Sequence, residues 1–266
     1  MANSNLALLI DGDNVSSKII AGLLVEIANY GTASVRRIYG DWTSPQLGPW
    51  KACLLNHSIT PIQQFAYTTG KNATDGAMII DAMDLLYTGR FSGFCLVSSD
   101  SDFTRLASRI REQGVTVYGF GNRKTNNAFI AACDKFIYFD VLNKESEELA
   151  VRPHVAESTK PEGGPVVIRD QSMNKIPIDS RVRAGIVLAI KSSKGYGDNW
   201  VNLANVGAHL NKISPDLNAR NYGYERLREF VEATGLVDVK FKPMGESPPV
   251  ALVRLKEDRE DRHGRD

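Results

Sequence analysis

No stretch of this chain approaches the ~18 consecutive apolar residues that a membrane-spanning helix requires, so no such helix is expected. The opening Met1-Ala2-Asn3-Ser4-Asn5 has neither a basic region nor an apolar core, which argues against a secretion leader and for the cytoplasm. There are three cysteines, Cys53, Cys95 and Cys133, all in apolar contexts and without CxxC spacing. That pattern fits buried free thiols in a reducing compartment rather than a disulfide framework. The four histidines, His57, His154, His209 and His263, are scattered, which argues against a zinc site. Internal repeats are absent as well.

What is present is an ordinary globular composition, 42% hydrophobic over 266 residues, enough for one large domain and one small one. The formal net charge is +1, but it is unevenly spread. Residues 1–142 balance 12 basic against 12 acidic side chains, whereas residues 179–255 carry 11 basic and 8 acidic, a net of +3. The second segment therefore leans weakly towards nucleic acid.

Residues 6–142 alternate strand and helix signals. Strands are expected at Leu6–Ile10, Ser34–Tyr39, Thr60–Phe65, Phe94–Val97, Val115–Phe120 and Phe136–Val141. Between them fall a helix capped by Ser16 or Ser17 and reaching Tyr30, a weaker one over Leu47–Asn56, and one capped by Thr74 and running to Tyr87. Two more helices are expected over Phe103–Gln113 and Asn126–Ala132. Repeated βα units of this kind predict an α/β fold, a parallel sheet with helices on both faces.

Residues 143–178 break the pattern. Glu145-Ser146-Glu147-Glu148, Pro153 and Pro161-Glu162-Gly163-Gly164-Pro165 read as a flexible linker. Order resumes over 179–255. Helices fit Arg181–Lys191, Leu203–Leu210 and Tyr222–Thr234, and strands fit Leu236–Phe241 and Val250–Leu255. Three helices and a hairpin predict a small α+β winged-helix domain. The tail, residues 256–266, is almost wholly charged and is expected to be disordered.

The chemistry lies in the acids. Asp11-Gly12-Asp13-Asn14 follows the apolar run Leu6–Ile10, and Asp100-Ser101-Asp102-Phe103 follows Phe94–Val97. Both sit where a buried strand ends, and in an open parallel sheet the carboxyl ends of the strands form the binding crevice. Asp75 lies in the first turn of a helix, beside Lys71 and Asn72. Converging carboxylates repel one another unless a cation neutralises them, and Mg²⁺ or Mn²⁺ prefers such oxygen ligands. Each acid also has a plainer role open to it. Asp11 and Asp13 fit turn or cap positions, Asp102 fits the N-cap of the following helix, and Asp75 is favoured by the helix dipole alone. Asp81 lies ~240° around the helix from Asp75 and is read, with Asp84, as outside the set. Lys71 is either a phosphate ligand or a solvated charge.

The segments Leu8-Leu9-Ile10-Asp11-Gly12-Asp13-Asn14, Lys71-Asn72-Ala73-Thr74-Asp75 and Leu96-Val97-Ser98-Ser99-Asp100-Ser101-Asp102-Phe103 resemble the NYN family of PIN-like nucleases. Ala131-Ala132-Cys133-Asp134-Lys135-Phe136-Ile137 is similar to that family's last segment. Ser99 stands where many relatives carry glycine, but the acids remain. The resemblance covers about residues 5–142. It implies a PIN-like, Rossmann-like sheet and a metal-dependent ribonuclease whose acidic set is Asp11, Asp75, Asp100 and Asp102. In that setting Mg²⁺ or Mn²⁺ is the cofactor, and Asn14 orders water or touches the scissile phosphate.

Asp198-Asn199-Trp200-Val201 through Gly207, followed by Pro215-Asp216-Leu217-Asn218-Ala219-Arg220-Asn221-Tyr222-Gly223-Tyr224-Glu225-Arg226-Leu227, resembles the OST-HTH or LOTUS domain. That resemblance implies RNA binding or docking of a protein partner. Lys212, Arg220, Tyr222, Arg226, Lys240 and Lys242 offer cations and an aromatic ring for an RNA backbone and a base. They equally fit a solvated surface over a core tyrosine. Two other readings compete with a ribonuclease. One is a regulator that binds RNA or protein without turnover. The other is a haloacid-dehalogenase-like phosphatase, because Asp11-Gly12-Asp13-Asn14-Val15 also fits a DxDx(T/V) pattern, with Asp11 as nucleophile and Asp13 as general acid.

Overall fold

β1 (Asn5–Asp11) is buried almost from end to end and forms the centre of the first of two compact units. The computed structural model describes residues 4–65, 73–142, 175–193, 195, 199–244 and 247–256. Most of the expected linker, Lys71 and nearly all of the charged tail lie outside these described residues.

In the first unit, Met1–Ser172, six parallel strands run in the order β3-β2-β1-β4-β5-β6. The others are β2 (Thr32–Gly40), β3 (Thr60–Gln63), β4 (Gly93–Val97), β5 (Thr116–Gly121) and β6 (Lys135–Tyr138). The alternation of side chains along each strand explains the two apolar layers. Leu6, Leu8 and Ile10 point to the face covered by α1 (Ile20–Ala28) and α2 (Gly48–Leu54), against Ile20, Leu23, Ile27 and Trp50. Ala7 and Leu9 point to the opposite face. There they meet α3 (Ala73–Tyr87), α4 (Thr104–Glu112) and α5 (Asn127–Ala132) through Met78, Leu85, Leu106 and Phe129. The sequence runs outwards from β1 to β3, then crosses to β4 on the other side of β1. Strand order therefore reverses between β1 and β4, and this is the position at which such sheets open a crevice.

Several boundaries differ from the sequence expectation for local reasons. Thr74 lies inside α3 rather than capping it, and its hydroxyl donates to Asp13 Oδ2 at 2.8 Å. Asp100, not Asp102, caps the turn before α4: its carboxylate accepts from the Asp102 backbone N–H at 2.9 Å. The helix after β1 does start from Ser16, but as a 3-10 turn, Ser17–Ile19. β6 ends at Tyr138, and residues 139–142 turn helical instead of extending to Val141. Cys95 and Cys133 are buried free thiols, whereas Cys53 is half-buried.

The second unit, Met173–Asp266, has its own core. It consists of α6 (Ser180–Ser192), β7 (Val201–Asn202), α7 (Leu203–Ile213), α8 (Leu227–Ala233), β8 (Val237–Met244) and β9 (Ser247–Leu255). The expected hairpin is present, and β7 adds a third strand in the order β7-β9-β8. α8 begins at Leu227 rather than Tyr222. Gly223 adopts φ +78°, closes a 3-10 turn over Arg220–Tyr222, and ends any helical run there. Asp179 caps α6 through the Val182 N–H at 2.9 Å. Among the described residues, no helix is long and apolar enough to cross a membrane.

Candidate functional site

The crevice at the carboxyl ends of β1 and β4 is built around Asp11, the last residue of β1 and fully buried. Gly12 makes the turn possible. Its N–H donates to the Tyr39 carbonyl at 2.8 Å, and a Cβ there would lie 2.8 Å from that same oxygen. The chain thus leaves β1 pressed against β2, and Asp11 is held in the crevice. Its Oδ2 accepts from Ser98 Oγ at 2.6 Å and from Asn14 Nδ2 at 2.8 Å. Oδ1 is buried with no hydrogen-bond partner among the described residues. Burial pushes the Asp11 pKa up. The Ser98 and Asn14 hydrogen bonds act in the opposite direction, and the nearby Asp13 charge adds to the rise.

Asp75, Asp100 and Asp102 come together beside it. Each offers a carboxylate oxygen, and these oxygens lie within 4.8 Å of one another, close enough to hold one cation. Asp75 is only 8% exposed. Its pKa is pushed up to about 6, first by burial, then by the charges of Asp11, Asp100, Asp102 and Asp13. All four of those acids are therefore felt at one carboxyl, which makes Asp75 the electrostatic meeting point of three segments far apart in sequence. No salt bridge reaches Asp11, Asp75 or Asp100 among the described residues. Asp81 is outside the cluster, as its helical spacing predicts. It accepts instead from Arg37 and from the Tyr39 hydroxyl.

Two contributors were not singled out from the sequence. Ser98 follows β4, is fully buried, and also accepts the Asp100 N–H at 3.1 Å, so one hydroxyl ties Asp11 to the β4 loop. The Asp13–Thr74 bond ties the β1 loop to the first turn of α3, next to Asp75. A serine after a buried strand and a threonine beside an acid were both visible in the motifs. Their partners were not, because those partners are 87 and 61 residues away. Lys71 lies outside the described residues.

In the second unit, Lys212, Arg226, Lys240 and Lys242 are exposed and Arg220 is half-buried. Tyr222 requires a correction as a base-stacking candidate. It is 7% exposed, belongs to the core, and stacks on Phe230 with centroids 5.0 Å apart. Its ring face is spent on packing. On the sheet, Lys240 Nζ lies 4.0 Å from the Trp200 ring centroid and the Arg254 guanidinium 4.7 Å from it. Arg254, which the sequence reading did not select, therefore shares a surface with Lys240 over a buried indole.

The family model described as the NYN domain matches residues 5–143, and the one described as the OST-HTH/LOTUS domain matches residues 178–248. No curated protein matches the chain. Among solved structures, a protein of unknown function from Vibrio parahaemolyticus is 18% identical, with a TM-score of 0.43, covering 51% of this chain and 93% of its own. An uncharacterized protein from Nitrosomonas europaea is 25% identical, with a TM-score of 0.28, covering 41% of this chain and 99% of its own.

Proposed function

Because the chain belongs to the NYN-domain family of PIN-like nucleases and carries an OST-HTH/LOTUS domain after it, we propose that it is a Mg²⁺- or Mn²⁺-dependent ribonuclease with an appended RNA-binding module. The observation that carries this reading is the acid crevice itself. Three carboxylates share a 4.8 Å neighbourhood, and beside them Asp11 has a buried oxygen without a partner. An unpaired buried carboxylate oxygen is costly, and a hard divalent cation is the group that suits an all-oxygen donor set. Asp11, Asp75, Asp100 and Asp102 would hold it.

Once bound, such a cation supplies positive charge that neutralises the carboxylates and offsets the charge gathering on a phosphate under attack. The chain's own groups do the positioning. Ser98 and Asn14 fix the Asp11 carboxylate by hydrogen bonds, and the Asp13–Thr74 bond fixes the first turn of α3, where Asp75 sits. Asn14, exposed and hydrogen-bonded to Asp11, would order water or touch the scissile phosphate. Hydrolysis of this kind leaves a 5′-phosphate and a 3′-hydroxyl. The exposed Lys212, Arg226, Lys240 and Lys242, with Arg220, offer backbone contacts to RNA. Docking of a protein partner is the competing role for this module.

The test is cleavage of defined single-stranded and structured RNAs with Mg²⁺, Mn²⁺ or EDTA, wild type beside Asp11→Asn and Asp100→Asn. Metal-dependent cleavage is expected, with each variant slower by at least about 10²-fold. Wild-type rates in either variant would overturn the site assignment. A folded wild type that binds RNA but cleaves none of it would instead establish a non-catalytic regulator.

A further inference from the structure

Next to the acids lies a second feature, most of whose residues the metal chemistry does not use. A cleft of about 320 Å³ opens between the β1 loop and the start of α2, with Asp13, Asn14, Ser16, Ser17, Gln46 and Trp50 among its lining. It shares walls with the acid crevice. Asn14 lines the cleft and also donates to Asp11, while Asp13 lines it and accepts from Thr74, the neighbour of Asp75. Its shape is braced from behind. Trp50 is buried and its indole N–H donates to the Val15 carbonyl at 2.9 Å, so the two walls are tied together.

We propose that this cleft seats the ribose of one RNA nucleotide beside the scissile phosphate and makes the site favour RNA over DNA, an inference that rests on the nuclease reading above. The first argument is charge. The lining holds no lysine, arginine or histidine and one carboxylate, Asp13, so it repels a phosphate and suits a neutral group. The second is hydrogen bonding. Two serines, two carboxamide residues and a carboxylate line a small space; Asn14, Ser16 and Asp13 are each already bonded, to Asp11, the Lys18 N–H and Thr74, and sugar hydroxyls can both donate to and accept from groups of these kinds. The 2′-hydroxyl is the group by which a protein tells RNA from DNA. The third is size. The cleft is at the lower end of the ~300–1,000 Å³ range of ligand pockets, room for one sugar with part of its base rather than a run of nucleotides. Val15 and Trp50, both buried, back the cleft from beneath.

The experiment uses the full chain and a single-stranded RNA octamer, together with eight versions each carrying one 2′-deoxynucleotide. Equilibrium binding is measured in Ca²⁺, and cleavage in Mg²⁺ or Mn²⁺. The expected result is a single position at which loss of the hydroxyl weakens wild-type binding by about 10-fold, the scale of one net hydrogen bond. In Ser17→Ala/Gln46→Ala that difference shrinks to within about twofold, and the single variants fall between, as expected for contacts made to one hydroxyl. A flat response along the wild-type series overturns the proposal, as does full discrimination in a folded double variant. Cleavage with a flat series leaves the nuclease reading standing without the cleft. The expected binding pattern without cleavage sustains the cleft and removes the nuclease.

Discussion

Asp75→Asn gives the most direct reading of the electrostatics in the crevice. Wild-type Asp75 has its carboxyl raised from 3.8 to about 6 in the folded chain. A raised carboxyl means that the folded state holds the proton more tightly than the unfolded one. Stability from this group is therefore complete below about pH 3.8 and is lost as pH rises through about 6. At about 1.4 kcal/mol per pH unit, the full cost at pH 8 is ~3 kcal/mol. Burial of Asp75 is the larger cause and the neighbouring charges the smaller; Asp100 is half-buried and Asp102 exposed, so solvent screens part of that repulsion, and about 1–2 kcal/mol is the expected remainder. Asparagine keeps the shape and removes the charge, so without divalent metal the variant should be more stable than wild type by that amount at pH 8. For a domain of this size the gain corresponds to ~3–6 °C in Tm. The difference should fade as pH is lowered towards 4.5. Thermal and urea unfolding in EDTA at a series of pH values measures it. Destabilisation at pH 8, or a stabilisation that does not change with pH, would refute the reasoning. Added Mg²⁺ or Mn²⁺ should reverse the order by stabilising wild type more than the variant.

Three further outcomes follow from other parts of the molecule. Arg181 donates to both oxygens of Asp216 at 2.9 and 2.8 Å; Asp216 is only 2% exposed but Arg181 is largely in solvent, so Arg181→Ala should destabilise the second unit by about 1–3 kcal/mol in urea melts. Tyr222→Ala should cost the second unit about 3–5 kcal/mol because the ring packs on Phe230; a fully stable variant with weakened RNA binding would restore Tyr222 as a stacking platform. Neutralising Arg220 together with Lys240 should weaken RNA binding and reduce its salt slope by about two phosphate contacts, read by titrations at several salt concentrations, while an unchanged slope would favour protein docking.

Much of the fold was legible because it rests on local pattern. Short apolar runs closed by Asp11 and Ser98-Ser99-Asp100, alternating with helical segments ended by Gly89 and Gly114, identify βα units without reference to distant contacts. Both of those glycines adopt positive φ, as their place after a helix requires. The meeting of Asp11 with Asp100 was legible too, since carboxylates at the ends of parallel strands share one edge of the sheet, whereas Asp75, in the first turn of α3, is brought there by helix packing. Local pattern misplaced Thr74 and the start of α8, and left open a capping role for Asp102 that Asp100 fills instead; a side chain's partner or a left-handed glycine decides each boundary.

The sequence by itself determined which residues could carry the chemistry: the acids, their order, and the apolar alternation that sends Leu8 and Leu9 to opposite faces of one sheet. It could not assign Ser98 to Asp11 or Thr74 to Asp13, because hydrogen-bond partners 87 and 61 residues away are chosen by strand order. Nor could it separate Tyr222 from the exposed cations around it, since an aromatic beside lysines and arginines looks the same whether it packs inward or faces solvent. Only the tertiary structure decided these. Reversal of strand order between β1 and β4 brings the three acidic segments to one crevice, and the packing of Phe230 fixes where the tyrosine ring must go.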